Sequence, residues 1–525
     1  MVLKKILKDY YVFEIILGLI FGYFAIQKVD LPPFDEALYQ YLALNDNVSN
    51  SNWGPLYSKY LSIFFYFTKD TIFVNYANWF LISFIFVPFS VLILGRALGF
   101  DRRMQSIVFM ATLTMDGNFP VDPKVQAFNF VCITLIGVAL AENKNFILSS
   151  ALASLSPLLV YVRQDNHIFI VFFFLLLFYN YRLIKNKTQL FKNFLILAAG
   201  LFACFLVFRQ IGDPFGNGRT WLAFLDHHSL VNYAKYYLDC RAIADCRQKV
   251  FEGINSFPEL LIKNPHLFFE HALRNANALP KILVDTVKLQ PIFGMTYLPI
   301  FILLSLALIF SQKITVVKKA IYVFVLIVIL KSISTSLIMS PFHKYLIEIA
   351  YILPLILVYL IYRLKIYINF KFNPNTAWLA AVLICISILQ GIDQTPEFAF
   401  KSGELRVVKK LKELNLSQPE KLKVFSAIAA GFYYNGSAQN IVFGELEWYL
   451  QSPSKGKSFN DFLDQKQIDI VAITPSLHNA SKYKEFTEAL NNFIFDEGRP
   501  NFVMKFRSGK SFIFVRNTLV NTSPN

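Results

Sequence analysis

Apolar runs of about 15–22 residues, long enough to cross the hydrocarbon layer, recur along most of this chain and leave it few ways to fold. We read eleven, at roughly 11–28, 72–94, 104–119, 125–141, 146–162, 167–181, 193–208, 292–310, 319–339, 345–361 and 377–391. Composition agrees: 55% of residues are apolar and only 16% charged, against about 25% charged in soluble domains. The 55 Phe residues are more than a water-soluble core uses. These figures exclude an ordinary soluble enzyme, a disordered chain and a collagen-like repeat, and five Cys are too few for a disulfide framework. The expected fold is an all-α multispan membrane protein.

The short loops between runs alternate in charge. One set holds Lys4, Lys5, Lys8, Arg96, Arg102, Arg103, Lys144, Arg182, Lys185, Lys187, Lys192, Lys313, Lys318, Lys319, Arg363, Lys365 and Lys371; the other holds little more than Lys124, Arg163 and Lys344. Basic residues accumulate in cytoplasmic loops, so the N-terminus is expected in the cytoplasm and the C-terminus outside. The same rule accounts for the net charge of +16 without a nucleic-acid partner. No small-residue cleavage site follows the first run, which reads as an anchor and not a removable signal.

On this topology three polar segments lie outside: 29–71, 209–291 and 392–525. The first two place Trp, Tyr, Leu and Phe at helical spacing, as in Trp221–Lys235 and Phe257–Leu273, and are expected to form amphipathic helices along the outer surface. Residues 1–391 thus form the membrane portion and 392–525 a soluble extracytoplasmic tail. In the tail, strand-like runs at Lys423–Ala429, Ile468–Thr474, Phe502–Phe506 and Ser511–Val515 alternate with helical patterns at 404–414, 459–466 and 480–494. That order predicts a small α/β domain, with Arg507–Lys510 turning a hairpin. Cys240 and Cys246 fall in an outer polar stretch, where a disulfide is feasible. On one helix their Cα atoms would stand roughly 9 Å apart, beyond bridging distance, so a bond requires a turn between them.

Several polar stretches could carry chemistry. Directly after the first run comes Asp30-Leu-Pro-Pro-Phe-Asp35-Glu36-Ala-Leu-Tyr39, followed by Trp53-Gly54-Pro55-Leu56-Tyr57. Asp35 either caps a surface helix, since it follows a turn and precedes a good first helical turn, or acts chemically at the membrane–water boundary. Further along are Asp116-Gly-Asn-Phe-Pro-Val-Asp122-Pro-Lys124, Tyr161-Val-Arg163-Gln-Asp165-Asn-His167 and Ser340-Pro-Phe-His343-Lys344-Tyr345. A basic residue at the outer end of a span either meets an anion or snorkels to water. His167, His227, His228 and His343 could join Asp35 and Asp122 around a divalent metal. No His-x3-His or His-Glu-x-x-His spacing supports such a site, so the cofactor stays unassigned. Gly-rich nucleotide loops and zinc-finger spacings do not occur.

A short cytoplasmic N-terminus, one span, then Pro-Pro-x-Asp-Glu-x-x-Tyr and Trp-Gly-Pro-Leu-Tyr resembles the GT-C superfamily of glycosyltransferases. That superfamily includes protein O-mannosyltransferases and lipid A aminoarabinose transferases. The resemblance implies a multispan hexosyltransferase-like enzyme in an inner (plasma) membrane. It would take a sugar from a polyprenyl-phosphate carrier on the outer face and pass it to a lipid, glycan or protein acceptor. Asp35 matches the catalytic base of the family, with Glu36 the next candidate. By the same resemblance Asp122 and Lys124 lie where a second acidic site occurs. Arg163 and Asp165 match a basic-residue motif, and His343 and Lys344 a Pro-x-x-Arg-Tyr motif with Lys in place of Arg. With Tyr57, these residues are expected to bind substrate.

The reaction asks for such groups. Breaking an anomeric C–O bond passes through an oxocarbenium-like transition state, a carboxylate must take the proton of the attacking hydroxyl, and the departing phosphate needs cations. The rival reading is a transporter or flippase for lipid-linked glycans, which ionisable residues in mid-span would favour; only Glu14, Arg209 and Lys331 stand out. A polysaccharide polymerase or ligase would differ mainly in its acceptor.

Overall fold

The computed structural model describes residues 11–26, 31, 35–44, 54–113, 124–142, 145–211, 219–236, 243–287, 316–340, 343–368, 404–416, 421–426, 433–434, 441–443, 459–474, 477, 484–495 and 501–520. These are mostly helical. The N-terminal part runs α1 (Val12–Ile26), α2 (Asp35–Leu44), α3 (Pro55–Phe65), α4 (Thr71–Ala97), α5 (Arg102–Leu113) and α6 (Val125–Glu142). It continues with α7 (Phe146–Leu155, extended by the 3-10 turns Ser156–Tyr161), α8 (His167–Tyr181) and α9 (Lys187–Ile211). Shorter or amphipathic helices follow: α10 (Arg219–Val231, with a further single turn at Tyr233–Tyr236), α11 (Ile243–Val250), α12 (Phe257–Lys263) and α13 (Pro265–Val287). Then come α14 (Val316–Ile338) and α15 (His343–Ile368).

Among the described residues, four helices are long and apolar enough to cross a membrane: α4, α6, α9 and the Lys318–Ile338 portion of α14. Shorter apolar helices occupy Val12–Ile26, Met104–Leu113 and Phe146–Tyr161, while α8 and α15 fill the runs read at 167–181 and 345–361. The runs at 292–310 and 377–391 lie outside the described residues.

The Phe excess has a structural use. Phe130, Phe169, Phe173, Phe324 and Tyr351 are all fully buried in one core between α6, α8, α14 and α15. Their rings meet at angles, Phe169 and Phe324 at 5.7 Å and Phe130 and Tyr351 at 5.4 Å between centroids, the offset geometry aromatic pairs prefer. Outward, α9 exposes Phe191, Phe194, Phe202 and Phe205, an apolar face suited to lipid. It is held to α7 where Gly200 lies against the Ser154 side chain and the Cys204 thiol donates to the Ser154 carbonyl at 3.1 Å. Helix α1 approaches the π-helical middle of α4, Leu81–Phe86, through Gly18 and Gly22. A Cβ on Gly18 would stand 2.5 Å from the Phe84 carbonyl oxygen, so the small-x-x-x-small spacing is what permits contact.

The 219–287 helices form an amphipathic cluster, as the spacing predicts. They bury Phe224, Phe251, Leu260 and Leu267 together and leave Leu222, Ile262, Phe269 and Leu273 exposed. Cys246 is disulfide-bonded, whereas Cys132 and Cys204 are free.

The C-terminal part is an α/β unit of α16 (Glu404–Glu413), β1 (Val424–Ser426), β2 (Ile441–Phe443), α17 (Phe459–Gln465), β3 (Ile470–Ile473), α18 (Lys484–Phe495), β4 (Phe502–Ser508), β5 (Ser511–Arg516) and α19 (Asn517–Val520). Strand order is β2-β1-β3-β5-β4, with β2, β1 and β3 parallel and β5 antiparallel to both neighbours. Side chains alternate across the sheet. Phe425, Val471, Ile473, Phe512 and Phe514 face α17 and α18, while Val424, Ile470, Ala472, Ile513 and Val515 face α16. Leu31 and Ala37 are buried in that second layer, so α2 joins the membrane portion to the sheet. Each tail helix and strand read from the sequence falls at its structural counterpart, whereas the three-residue β2 and the four-residue α19 were missed. Both are too short to show a period.

Candidate functional site

Asp35 is the first residue of α2, a position where a carboxylate is favoured by the helix dipole. Its neighbour Glu36 is 3% exposed and draws donors from three directions. The Tyr57 hydroxyl donates to Oε1 at 2.7 Å and Asn78 Nδ2 to the same oxygen at 2.9 Å. The backbone N–H of Lys124, just before α6, donates to Oε2 at 3.0 Å. Asn78 also donates to the Tyr57 oxygen at 2.7 Å. Four chain segments therefore converge on one carboxylate. Burial pushes the Glu36 carboxyl above its ordinary value, partly offset by Tyr57, Lys124 and Asn78. Burial and the adjacent Glu36 push the Tyr57 phenol well up, so it stays a donor.

Local sequence sets this geometry. Gly54 precedes α3 at φ +46°, a left-handed conformation that costs glycine little, and Pro55 opens the helix where its missing N–H loses nothing. A Cβ on Gly54 would stand 3.2 Å from both the Tyr39 ring and the Val162 carbonyl oxygen. The Gly54-Pro55-Leu56-Tyr57 stretch thus turns tightly against the chain leading to Arg163 and delivers Tyr57 to Glu36. Tyr57 is fully buried, and its hydroxyl is engaged by Glu36 and Asn78.

A second polar group lies beyond α6. Arg163 grips Asp165 with two bonds, Nε to Oδ1 at 3.0 Å and Nη2 to Oδ2 at 2.9 Å. Thr335 donates to Asp165 Oδ2 at 3.1 Å, and Lys331 Nζ stands 3.9 Å from it. Lys331 bonds Glu348 Oε1 at 2.7 Å, which also accepts from Asn129 at 2.9 Å; Asn129 in turn accepts from Asn166 at 2.5 Å. Burial alone would raise the Asp165 carboxyl, but Arg163 and Lys331 outweigh it and hold the group well below the carboxylate range. Burial likewise works against the Arg163 charge, and Asp165 overcomes it. Two cations and two anions close a neutral, hydrogen-bonded quartet, the condition for burying charge.

At the outer rim of this quartet Arg163 and Lys344 flank the Tyr345 ring, at 5.6 and 5.5 Å from its centroid. The Tyr345 hydroxyl is 2.9 Å from His227 Nε2. Burial, with Lys344 and His271 adding to it, lowers His227 to about 4, so it is neutral at pH 7. His228 is lowered to about 3 by burial and then by His271. His271 is pulled down by burial and pinned to the carbonyls of Ile338 and Met339 at 3.1 and 2.9 Å, fastening α13 to the end of α14.

Among the predicted site residues, the structure joins Glu36, Tyr57 and Lys124 in one group and Arg163 with Asp165 in another, with Lys344 at the rim. Helix α6 and the residue before it bridge the two groups: the Lys124 amide serves Glu36, and Asn129 serves Glu348. Asp122 and the side chains of Asp35 and His343 lie outside the described residues. Among the described residues no three His, Cys, Asp or Glu side chains gather as metal ligands. Sequence reasoning missed Glu348, Asn78, Asn129 and Asn166. Glu348 carried a usable signal, a lone carboxylate within an apolar run opposite Lys331, whereas three Asn in apolar helices have no spacing to mark them. No family model and no curated protein matches the chain.

Proposed function

We propose that the chain is a GT-C-like glycosyltransferase of about eleven spans in a plasma membrane, acting on the outer face with its C-terminal unit extracytoplasmic. The observation that carries the reading is the adjacent acid pair opening α2, in which both oxygens of Glu36 are engaged by Tyr57, Asn78 and the Lys124 amide. A carboxylate so bound positions the helix, leaving Asp35 as the general base. Asp35 accepts the proton of the acceptor hydroxyl as its oxygen bonds the anomeric carbon. The carbon–oxygen bond to the polyprenyl phosphate breaks, and the phosphate departs with the electron pair. Lys344, beside Tyr345 at the rim of the quartet, supplies positive charge for that anion, while Arg163, paired to Asp165, fixes the Tyr345 side of the site. The bonded Cys246 supports an oxidising, outer location for the 209–291 segment.

The test is transfer from a radiolabelled polyprenyl-phosphate hexose in membrane vesicles. Asp35→Asn is expected to reduce turnover by at least about 10²-fold, the typical worth of a general base, with normal folding; Asp35→Asn at full activity refutes the assignment. A flippase for lipid-linked glycans remains the second reading, and the buried Lys331–Glu348 pair inside the helix bundle is what favours it. Lipid-linked hexose crossing protein-containing vesicles without transfer would decide for it. A polymerase or ligase would show the same donor use with a glycan acceptor.

A further inference from the structure

The acid pair does not sit on the membrane bundle alone. Helix α2 has two buried faces. Glu36, Tyr39, Gln40 and Ala43 turn toward α3, α4 and α6, while Ala37, Tyr41 and Leu44 pack into the C-terminal sheet layer with Val407, Leu411 and Val515. One turn beyond Glu36, Gln40 Nε2 donates to Asn75 Oδ1 at 3.1 Å. The same Asn75 oxygen accepts from the Tyr433 hydroxyl at 3.2 Å, and Gln40 Nε2 is 3.5 Å from the Tyr433 oxygen. Asn75 and Asn78 lie three residues apart on α4, so they share a face. Two buried polar groups therefore lie one helical turn apart along α2 and α4: Tyr57, Glu36 and Asn78 in one, and Asn75, Gln40 and Tyr433 in the other. Tyr433 belongs to the C-terminal unit, 393 residues from Gln40. The Thr71 hydroxyl donates to the Tyr433 carbonyl at 3.4 Å, fixing that residue's backbone to the start of α4 as well.

We propose that the C-terminal unit is a clamp on α2, and that Tyr433 is a positioning residue which holds the Asp35–Glu36 pair in register through Gln40 and Asn75. The chemical reason is geometric. Helix α2 has ten residues, too few to be stable alone in water, and its orientation must come from what packs on each face. The bundle face supplies the Glu36 bonds; the opposite face is closed by the sheet. The Tyr433 hydroxyl, reaching Asn75 and Gln40, ties the two. The functional part of this proposal rests on the reading of Asp35 as base, whereas the clamp itself does not.

The test is amide hydrogen exchange on the full-length protein in lipid nanodiscs. Tyr433→Phe keeps the ring in place and removes only the hydroxyl, and exchange across 35–44 is expected to rise about three- to tenfold, the worth of one buried hydrogen bond. Amides of α6 and β5 should be unchanged. Gln40→Leu should do the same, and the double variant should add little to either. Lys412→Ala, which removes an ion pair to Asp70 at 3.8 Å on the same interface, should leave α2 unchanged. Wild-type exchange in Tyr433→Phe, or equal loosening by Lys412→Ala, overturns the clamp. With a radiolabelled polyprenyl-phosphate hexose as probe, Tyr433→Phe is expected to lower kcat several-fold at unchanged KM. Altered exchange with no turnover even in the wild type would keep the clamp and reject the transferase reading, and unchanged kcat in an active enzyme would reject the positioning role.

Discussion

Removing one member of the Lys331–Glu348 pair is the sharpest perturbation the membrane portion offers, because the two residues lose different things. Glu348 Oε1 accepts from Lys331 at 2.7 Å and Asn129 at 2.9 Å, with Ser332 at 3.4 Å from Oε2. Lys331→Met leaves that buried carboxylate with neutral donors only in direct contact, and breaking a buried pair from one side costs about 3–5 kcal/mol. Glu348→Gln is milder. The amide keeps an acceptor for Asn129, and Lys331 still has Asp165 at 3.9 Å, an attraction of about 4 kcal/mol at an effective dielectric constant of about 20. Its expected cost is about 1–3 kcal/mol, that of one impaired charged hydrogen bond. The double variant removes both charges, so it should cost less than the sum by about 2–3 kcal/mol, within the range measured for contacting residues. Equilibrium unfolding in mixed micelles, followed by far-UV circular dichroism, reads all three. Additivity within about 0.5 kcal/mol, or Lys331→Met no costlier than Glu348→Gln, would refute the quartet as described.

Gly54→Ala should destabilise by about 1–3 kcal/mol: the left-handed conformation costs about 1–2, and the new methyl crowds Tyr39 and the Val162 carbonyl; thermal unfolding checks it. Glu36 is held above its ordinary value by burial, so the native state binds more protons than the unfolded one across that interval. Its contribution is complete below the unfolded value near 4.5 and declines as pH rises through the folded value. Glu36→Gln should remove that slope in unfolding measured at stepped pH. His227 runs the other way. Lowered from 6.5 to about 4, it favours the folded state above 6.5, and about 3 kcal/mol is lost as pH falls between those values. Protection factors across 219–287, which remove the intrinsic slowing of amide exchange at lower pH, should therefore fall with acidification, and a His227→Gln variant should lose part of that response.

What the sequence disclosed follows from how far each signal extends along the chain. Apolar runs extend over ten or more consecutive residues, and the tail strands sit in shorter β-branched and aromatic runs bounded by turn residues, so the helices at 125–142 and 187–211 and the strands at 470–473 and 511–516 were legible. The acid pair was visible too, since Asp35-Glu36 follows a Pro-Pro break. Which of the two acids is bound was not, because that depends on Asn78 and the Lys124 amide, 42 and 88 residues away. Arg163 was expected to face an anion; its partner turned out to be Asp165, two residues along, and only the backbone turn at 164–166 brings the carboxylate round to the guanidinium. The tail was read as a separate unit, and the burial of Leu31 and Ala37 in its sheet layer is a long-range contact no local period encodes.

The distribution of charge inside the bundle bears on the choice between transfer and transport. Among the described residues, the Glu14–Arg102 pair joins the first turns of α1 and α5, at the cytoplasmic end of the proposed topology. The quartet lies at the opposite end: Glu348 is five residues into α15, about 7 Å below its start, and Lys331 seven residues from the end of α14, about 10 Å. Directly against the quartet stands the Phe169 ring, its centroid 5.6 Å from Lys331 Nζ, and behind it Phe173 and Phe324 each pack on that ring, all three buried in one core. An ion or headgroup crossing the bundle would have to shed its hydration against that aromatic layer, at a cost only mid-bundle polar groups could offset. A reaction confined to the outer rim needs no such path. It needs an acid at the boundary and cations for a phosphate that never leaves the headgroup level. Substituting Phe173 or Phe324 by Ala should then lower stability by about 3–5 kcal/mol without changing donor turnover per folded molecule. A variant that instead opened or abolished passage of lipid-linked hexose would place the function in the bundle's interior.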